Sequence, residues 1–136
     1  MIRTLSIIAT ISAIAAPAYA EGDVATGEKE FRKCKSCHAI ESADETIVKG
    51  GKTGPNLYGV IGRTAGTAEG FSYGADLVAA GDAGVVWDEA SLATYIEDPK
   101  AFLQDTLDDK GAKSKMTFKL KKNTADVAAY LATFSE

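Results

Sequence analysis

Cys34-Lys35-Ser36-Cys37-His38 constrains this chain more than any other stretch. Two thiols three positions apart, followed at once by a histidine, form the attachment signature of a c-type haem. The chemistry sets the spacing. Each thiol adds to one vinyl group of the porphyrin, and the next side chain must fall beneath the iron. His38 stands there, and its imidazole can supply the fifth ligand, as in many haem proteins. A chain built on this motif folds around a flat cofactor rather than only around its own side chains.

Three other chemistries share part of the pattern. Two cysteines in an exported protein can simply oxidise to a disulfide. A thiol–disulfide redox pair uses the same Cys-x-x-Cys spacing, but its fold needs a βαβ pattern nearby, and none is legible here. Zinc asks for four ligands, and beyond these residues only scattered carboxylates remain. The adjacent His38 and an export signal favour haem.

That signal lies at the start. Arg3 carries the one positive charge ahead of a largely apolar run of twelve residues, 5–16, and Ala18-Tyr19-Ala20 places small residues where a signal peptidase reads. The rival is an uncleaved membrane anchor, but a bilayer span takes about 20 apolar residues. The expectation is a cleaved signal peptide over 1–20, a single monohaem domain over 21–136, and delivery to a bacterial periplasm. Without the signal the chain holds 14 basic and 19 acidic side chains, a formal charge of −5. Nucleic acid is therefore not an expected partner, since phosphate binding needs a basic surface. The charge is uneven: six lysines and no acid lie between Lys110 and Lys122. Taken alone, such a run reads as a solvated face.

Asp23 to Lys33 reads as a helix that delivers the cysteines, with Asp23 as its cap. Gly27 within it costs about 1 kcal/mol relative to Ala, which a close helix neighbour would explain. Eight glycines between Gly50 and Gly74 argue for turns over 39–71. A loop that long fits a compact domain only if it packs on a cofactor, with Leu57, Val60, Ile61 and Phe71 as pocket lining. Ser72 to Ala80, ended by Gly81, reads as a short helix. Asp88 caps Glu89 to Asp98, Pro99 stops it and opens a further helix through about Leu107, and Asn123 caps a last helix striped by Val127, Tyr130, Leu131 and Phe134. No strand pair is visible. The expected fold is all-α, with helices and long loops wrapped around one haem.

Scarcity bears on the sixth iron position. His38 is the only histidine, and the mature chain has one methionine, Met116. A thioether suits a low-spin electron-transfer haem. Met116 could instead be a core filler, yet Lys113, Lys115 and Lys119 crowd it. A lysine amine or an open site are the alternatives. An open face would suit an enzyme acting on peroxide, nitrite or nitric oxide, or a ligand sensor. Peroxidase-like chemistry commonly also wants a distal histidine, which the chain lacks.

At this point the residues resemble a family: the class I cytochromes c, and within them the bacterial cytochrome c2 and c-550 group. The likeness runs over nearly all of 22–134. It includes Gly22-Asp23-Val24, the haem motif, Thr53-Gly54-Pro55-Asn56-Leu57-Tyr58-Gly59, Gly62-Arg63, Phe71-Ser72-Tyr73, Trp87, Tyr95, Asp98-Pro99-Lys100, Lys115-Met116-Thr117-Phe118 and 126–131. It implies the class I cytochrome c fold, one covalently attached haem c, and His38 and Met116 as axial ligands. It further implies that the Pro55 carbonyl accepts from His38 Nδ1–H, and that Arg63, Tyr73 and Trp87 donate to a buried haem propionate. Tyr95 and Ser114 would lie on the methionine side. Gly27, Phe31, Val127, Tyr130 and Leu131 would join the first and last helices.

One departure from the family's short members stands out: sixteen residues separate Pro99 from Met116, so the shape of 100–115 does not carry over. The implied role is a monomeric periplasmic electron carrier, not an enzyme. Its donor would be a cytochrome bc1-type complex, and its acceptor a photosynthetic reaction centre, a terminal cytochrome oxidase or another periplasmic redox protein. Membranes would be met only through those complexes. The docking surface would be a lysine-rich haem face, with Lys113, Lys115, Lys119, Lys121 and Lys122 around the ligand loop and Lys33, Lys35, Lys49 and Lys52 around the motif.

Overall fold

The computed structural model describes residues 21–135; the signal peptide expected over 1–20 lies outside them. The chain runs α1 (Val24–Glu30), a 3-10 turn (Phe31–Lys33), β1 (Ile40–Glu41), β2 (Thr46–Val48), α2 (Ala75–Asp82), α3 (Glu89–Glu97), α4 (Pro99–Leu107) and α5 (Thr124–Ala132). Among the described residues no helix is long and apolar enough to cross a membrane.

The first and last helices meet face to face. Asp23 caps α1 by accepting from the Thr26 N–H at 2.7 Å, and its own N–H donates to Asp126 Oδ1 on α5 at 2.7 Å. A Cβ on Gly27 would collide with the Asp126 carbonyl. That contact explains a glycine inside a helix. Phe31 and Tyr130 pack at a tilt with ring centroids 5.6 Å apart, and Phe134 meets Tyr130 edge-on at 5.0 Å. Buried Val127, Tyr130 and Leu131 complete the seam. α3 packs on the same helix, so α1, α5 and α3 form one wall of the molecule.

The strand pair is a correction to the purely helical expectation. β1 and β2 are antiparallel, with Ile40 opposite Val48. They are too short to carry a period-2 pattern, and Asn56 completes the outer edge: its side chain donates to the Glu41 carbonyl at 2.7 Å and accepts from the Glu41 N–H at 2.9 Å. The rest of 39–71 is turns and loops.

The helix expected over 72–80 is displaced. It begins at Ala75, with Gly74 at its N-cap, and runs through Gly81 to Asp82. Gly81 is not a terminator but a contact point, since a Cβ there would collide with the Ala65 carbonyl. Asn123 is a second correction. It sits in the left-handed region (φ 61°) and makes no capping bond to its own helix. Asn tolerates that backbone region better than most residues.

α4 spans the expected Pro99–Leu107, with Asp98 capping Ala101 N–H at 3.1 Å. The following turn sets Asp108 left-handed (φ 49°), and Gln104 Nε2 donates to the Lys110 carbonyl at 2.8 Å. The extended segment before Met116 is thus mostly α4 and a tight turn, not a floppy loop.

Candidate haem site

The motif lies where α1 runs out. The Cys34 carbonyl accepts from Cys37 N–H at 3.1 Å and from His38 N–H at 2.9 Å, which folds the five residues into a turn. No disulfide links the two thiols. Both face a cavity of about 370 Å³, and His38 lines it with them. His38 Nδ1 lies 2.8 Å from the Pro55 carbonyl, so that nitrogen is the donor and Nε2 is left for a ligand. Close approach of the ring needs a residue without a side chain, because a Cβ on Gly54 would strike the imidazole. Burial holds His38 below the usual histidine range, against the opposing pull of the Pro55 bond. The neutral imidazole that results is the form that ligates metal. Burial also pushes the Cys34 thiol up to about 11, with the Cys37 charge adding to it.

The far wall comes from three distant segments. Gly62 N–H donates to the Trp87 carbonyl at 2.7 Å and Trp87 N–H to the Arg63 carbonyl at 2.9 Å, setting both side chains at the cavity. Arg63 donates to the carbonyls of Asn56 (3.1 Å) and Tyr58 (3.4 Å). Burial lowers its pKa, and among the described residues it forms no ion pair. The Tyr73 hydroxyl accepts from Ala68 N–H at 3.1 Å, and Tyr73 lines the same space. On the strap after α4, Ser114 Oγ donates to the Met116 carbonyl at 2.9 Å, and burial raises the Tyr95 pKa against a lowering influence from Ser114. Met116 is half-buried against the core and borders the cavity.

All ten side chains singled out from the sequence, Cys34, Cys37, His38, Pro55, Arg63, Tyr73, Trp87, Tyr95, Ser114 and Met116, therefore border one space. Leu57, Val60 and Phe71 line it as expected. Ile61 does not; it packs against the core from outside the cavity. Lys33, Lys113 and Lys115 stand at the mouth, whereas Lys35 lines a separate cleft beside α1 with Arg32 and Tyr130. Sequence reasoning missed two contributors. Phe102 supports Trp87 and Tyr95, with centroids 5.6 and 5.5 Å away. Leu120, buried and lining the cavity, is the one aliphatic side chain between Met116 and Lys122, a signal masked by its lysine neighbours.

This donor set fits a covalently held haem. Two free thiols, a neutral imidazole and an apolar wall converge, and an unpaired guanidinium waits for a carboxylate. The rival chemistries fit less well. Among the described residues no three His, Cys, Asp or Glu side chains converge as a metal cluster. The sheet is a two-stranded antiparallel pair, not the βαβ unit of a thiol oxidoreductase.

No protein-family model matches the chain. Individual relatives do. Cytochrome c-551 of Roseobacter denitrificans is 60% identical over 99% of this chain and 97% of its own length. Cytochrome c-550 of Paracoccus denitrificans is 57% identical over 94% of this chain and 86% of its own. The crystal structure of cytochrome c2 from Rhodobacter capsulatus superposes with a TM-score of 0.80 at 61% identity, covering 82% of this chain and 97% of that one. The chain belongs to the class I cytochromes c, in the cytochrome c2 and c-550 group. This cytochrome carries one covalently attached haem c at the Cys34–His38 motif. It is an electron-transfer protein, not an enzyme.

Proposed function

We propose that this cytochrome is a soluble periplasmic shuttle, with His38 and Met116 as the axial ligands of its haem iron. When bound, the haem supplies one-electron exchange between ferric and ferrous iron. The protein contributes the rest. Cys34 and Cys37 hold the group covalently, and Pro55 fixes the His38 tautomer and ring orientation. Arg63, Tyr73 and Trp87 offer donors to a propionate that would otherwise be buried without partners. A Met116 thioether and burial in an apolar wall both favour the reduced state. With His38 and Met116 both holding the iron, small substrates would be kept from it and electrons would be the only cargo.

The observation that carries this reading is the convergence of the only histidine and the only methionine of the mature chain on one cavity. The export signal over 1–20 supports a periplasmic location. The donor is a cytochrome bc1-type complex, and the acceptor a photosynthetic reaction centre or a terminal oxidase. Docking uses the cavity's edge, whose lining includes Lys113, Lys115, the exposed Phe118 and Lys33, the last paired with Glu30 at 2.6 Å. Although the whole chain is acidic, this local positive field steers encounter with acidic partner surfaces.

Reduction of the holoprotein by a purified cytochrome bc1 complex tests the reading. The rate should fall about tenfold or more as salt rises to the range where exposed charges are screened beyond about 8 Å. A rate indifferent to salt removes the lysine rim as the docking surface. No reduction at all removes that donor.

A further inference from the structure

Asp76 lies in the first turn of α2, remote in the chain from the strap that bears Met116, yet the two segments touch. Its carboxylate oxygen Oδ2 accepts from the Lys113 backbone N–H at 2.7 Å. Lys115 Nζ donates to the Ser72 carbonyl at 3.3 Å. The aliphatic stem of Lys115 covers Gly74, where an added Cβ would lie 3.3 Å from Lys115 Cγ. Residues 72–76 thus run along one side of 113–115.

Downstream, Lys119 Nζ ties the strap to Asp98 Oδ2 at 2.9 Å, and its backbone has few anchors of its own. It contains no helix or strand between α4 and α5. Its flanking backbone anchors are Ala112 N–H to the Asp109 carbonyl (3.1 Å) and Leu120 N–H to the Ile96 carbonyl (2.9 Å). Between those points, among the described residues, Lys113 N–H to Asp76 is the one hydrogen bond donated by the strap's backbone. To swing Met116 away from the cavity, the segment from Lys113 to Lys119 must move. The Asp76 bond lies at its upstream pivot, three residues before the sulfur.

We propose that Asp76 is a positioning residue: its carboxylate latches the strap through Lys113 N–H and thereby keeps Met116 over the sixth iron position. This rests on Met116 being the ligand. The latch acts on the opening equilibrium rather than on the iron–sulfur bond itself. An exposed hydrogen bond to a carboxylate shifts such an equilibrium by about three- to tenfold. The carbonyl oxygen of an Asn at this position could still accept, while its lack of charge would forfeit any interaction with the α2 dipole. The pair Asp76→Ala and Asp76→Asn therefore separates the acceptor from the charge.

The test titrates ferric holoprotein with imidazole, following the Soret band, in wild type, Asp76→Ala, Asp76→Asn and Met116→Ala. Amide hydrogen exchange at Lys113 and the guanidinium unfolding midpoint are measured on the same samples. Asp76→Ala should raise apparent imidazole affinity about three- to tenfold and speed Lys113 exchange by a similar factor, with Asp76→Asn near wild type. If Asn and Ala raise imidazole affinity equally, charge acts and the latch does not. An Ala variant with a shifted midpoint but wild-type imidazole affinity would reduce Asp76 to a stability contact. Met116→Ala separates the two layers of the argument. If it binds imidazole freely while Asp76→Ala matches wild type, the latch alone is wrong. If its titration matches wild type, the ligand assignment fails and the latch falls with it.

Discussion

Arg63 holds a positive charge in partly buried surroundings and spends its hydrogen bonds on two backbone carbonyls, with no carboxylate of this chain as counter-ion among the described residues. Two carbonyls compensate a partly buried charge only in part, and a haem propionate would complete its pairing. The same charge stabilises an electron arriving nearby. Replacing Arg63 by Met should therefore lower the reduction potential by tens of millivolts, the scale of a unit charge roughly 10 Å away at an effective dielectric of about 20. Equilibrium redox titration measures it, and an unchanged or higher potential would contradict the assignment. At this scale the sequence was most legible where chemistry permits few residues. Thioether attachment needs Cys34 and Cys37 at fixed spacing, and scarcity singles out His38 and Met116. Arg63, Tyr73 and Trp87 were legible only through family resemblance, because nothing local to them points at a cavity. Phe102 was not legible at all, since an aromatic on a helix has no mark that separates supporting a tryptophan from filling a core.

Among the elements, the three aspartate caps do similar work with different partners. Asp23 and Asp88 are held below the usual carboxylate range by the N–H groups of Thr26 and Ser91, and Asp98 by Lys119 first and Ala101 second. At the start of α3, Asp88 Oδ1 accepts from Ser91 N–H at 2.7 Å while Asp88 N–H donates to Ser91 Oγ at 3.0 Å, a reciprocal pair. Asp88→Ala should lower unfolding free energy at neutral pH by about 1 kcal/mol. The sign with pH follows from the direction of the shift. A carboxyl depressed in the folded state contributes stability above its unfolded pKa of about 3.9, and that contribution fades as pH falls through the lower folded value. Guanidinium unfolding of wild type and variant should therefore converge below about pH 4. A difference that persists in acid would assign the loss to packing instead. Such caps, with Pro99 at the head of α4, made α3 and α4 readable nearly to the residue. Gly81 has the sequence mark of a stop, but the Ala65 carbonyl demands a glycine there and α2 runs on to Asp82. Asn123 suits a cap by residue type, but here it serves a left-handed backbone position and makes no capping bond.

For the molecule as a whole, the long irregular stretches make sense only with a cofactor at the centre. Loop 39–71, the segment 72–76 and the strap 113–120 have little regular structure, and each contributes to one cavity wall. The hydrophobic core is continuous with that wall: Phe31, Leu92, Ile96, Leu120, Val127 and Leu131 belong to both. Helix pairing was foreseeable from Gly27 and the α5 stripe. The fold of 100–115 was not, because its tight turn depends on a left-handed Asp108 and on Gln104 reaching Lys110, neither of which has a periodic signature. The central claim is that this cavity holds an iron closed on both sides, by His38 and Met116. Carbon monoxide tests it most directly, since it binds ferrous haem wherever the sixth position is open. Ascorbate-reduced wild type should give the same low-spin spectrum before and after carbon monoxide, and Met116→Ala should bind it at once. Rapid binding by the wild type, or a Met116→Ala spectrum identical to it, would contradict the account.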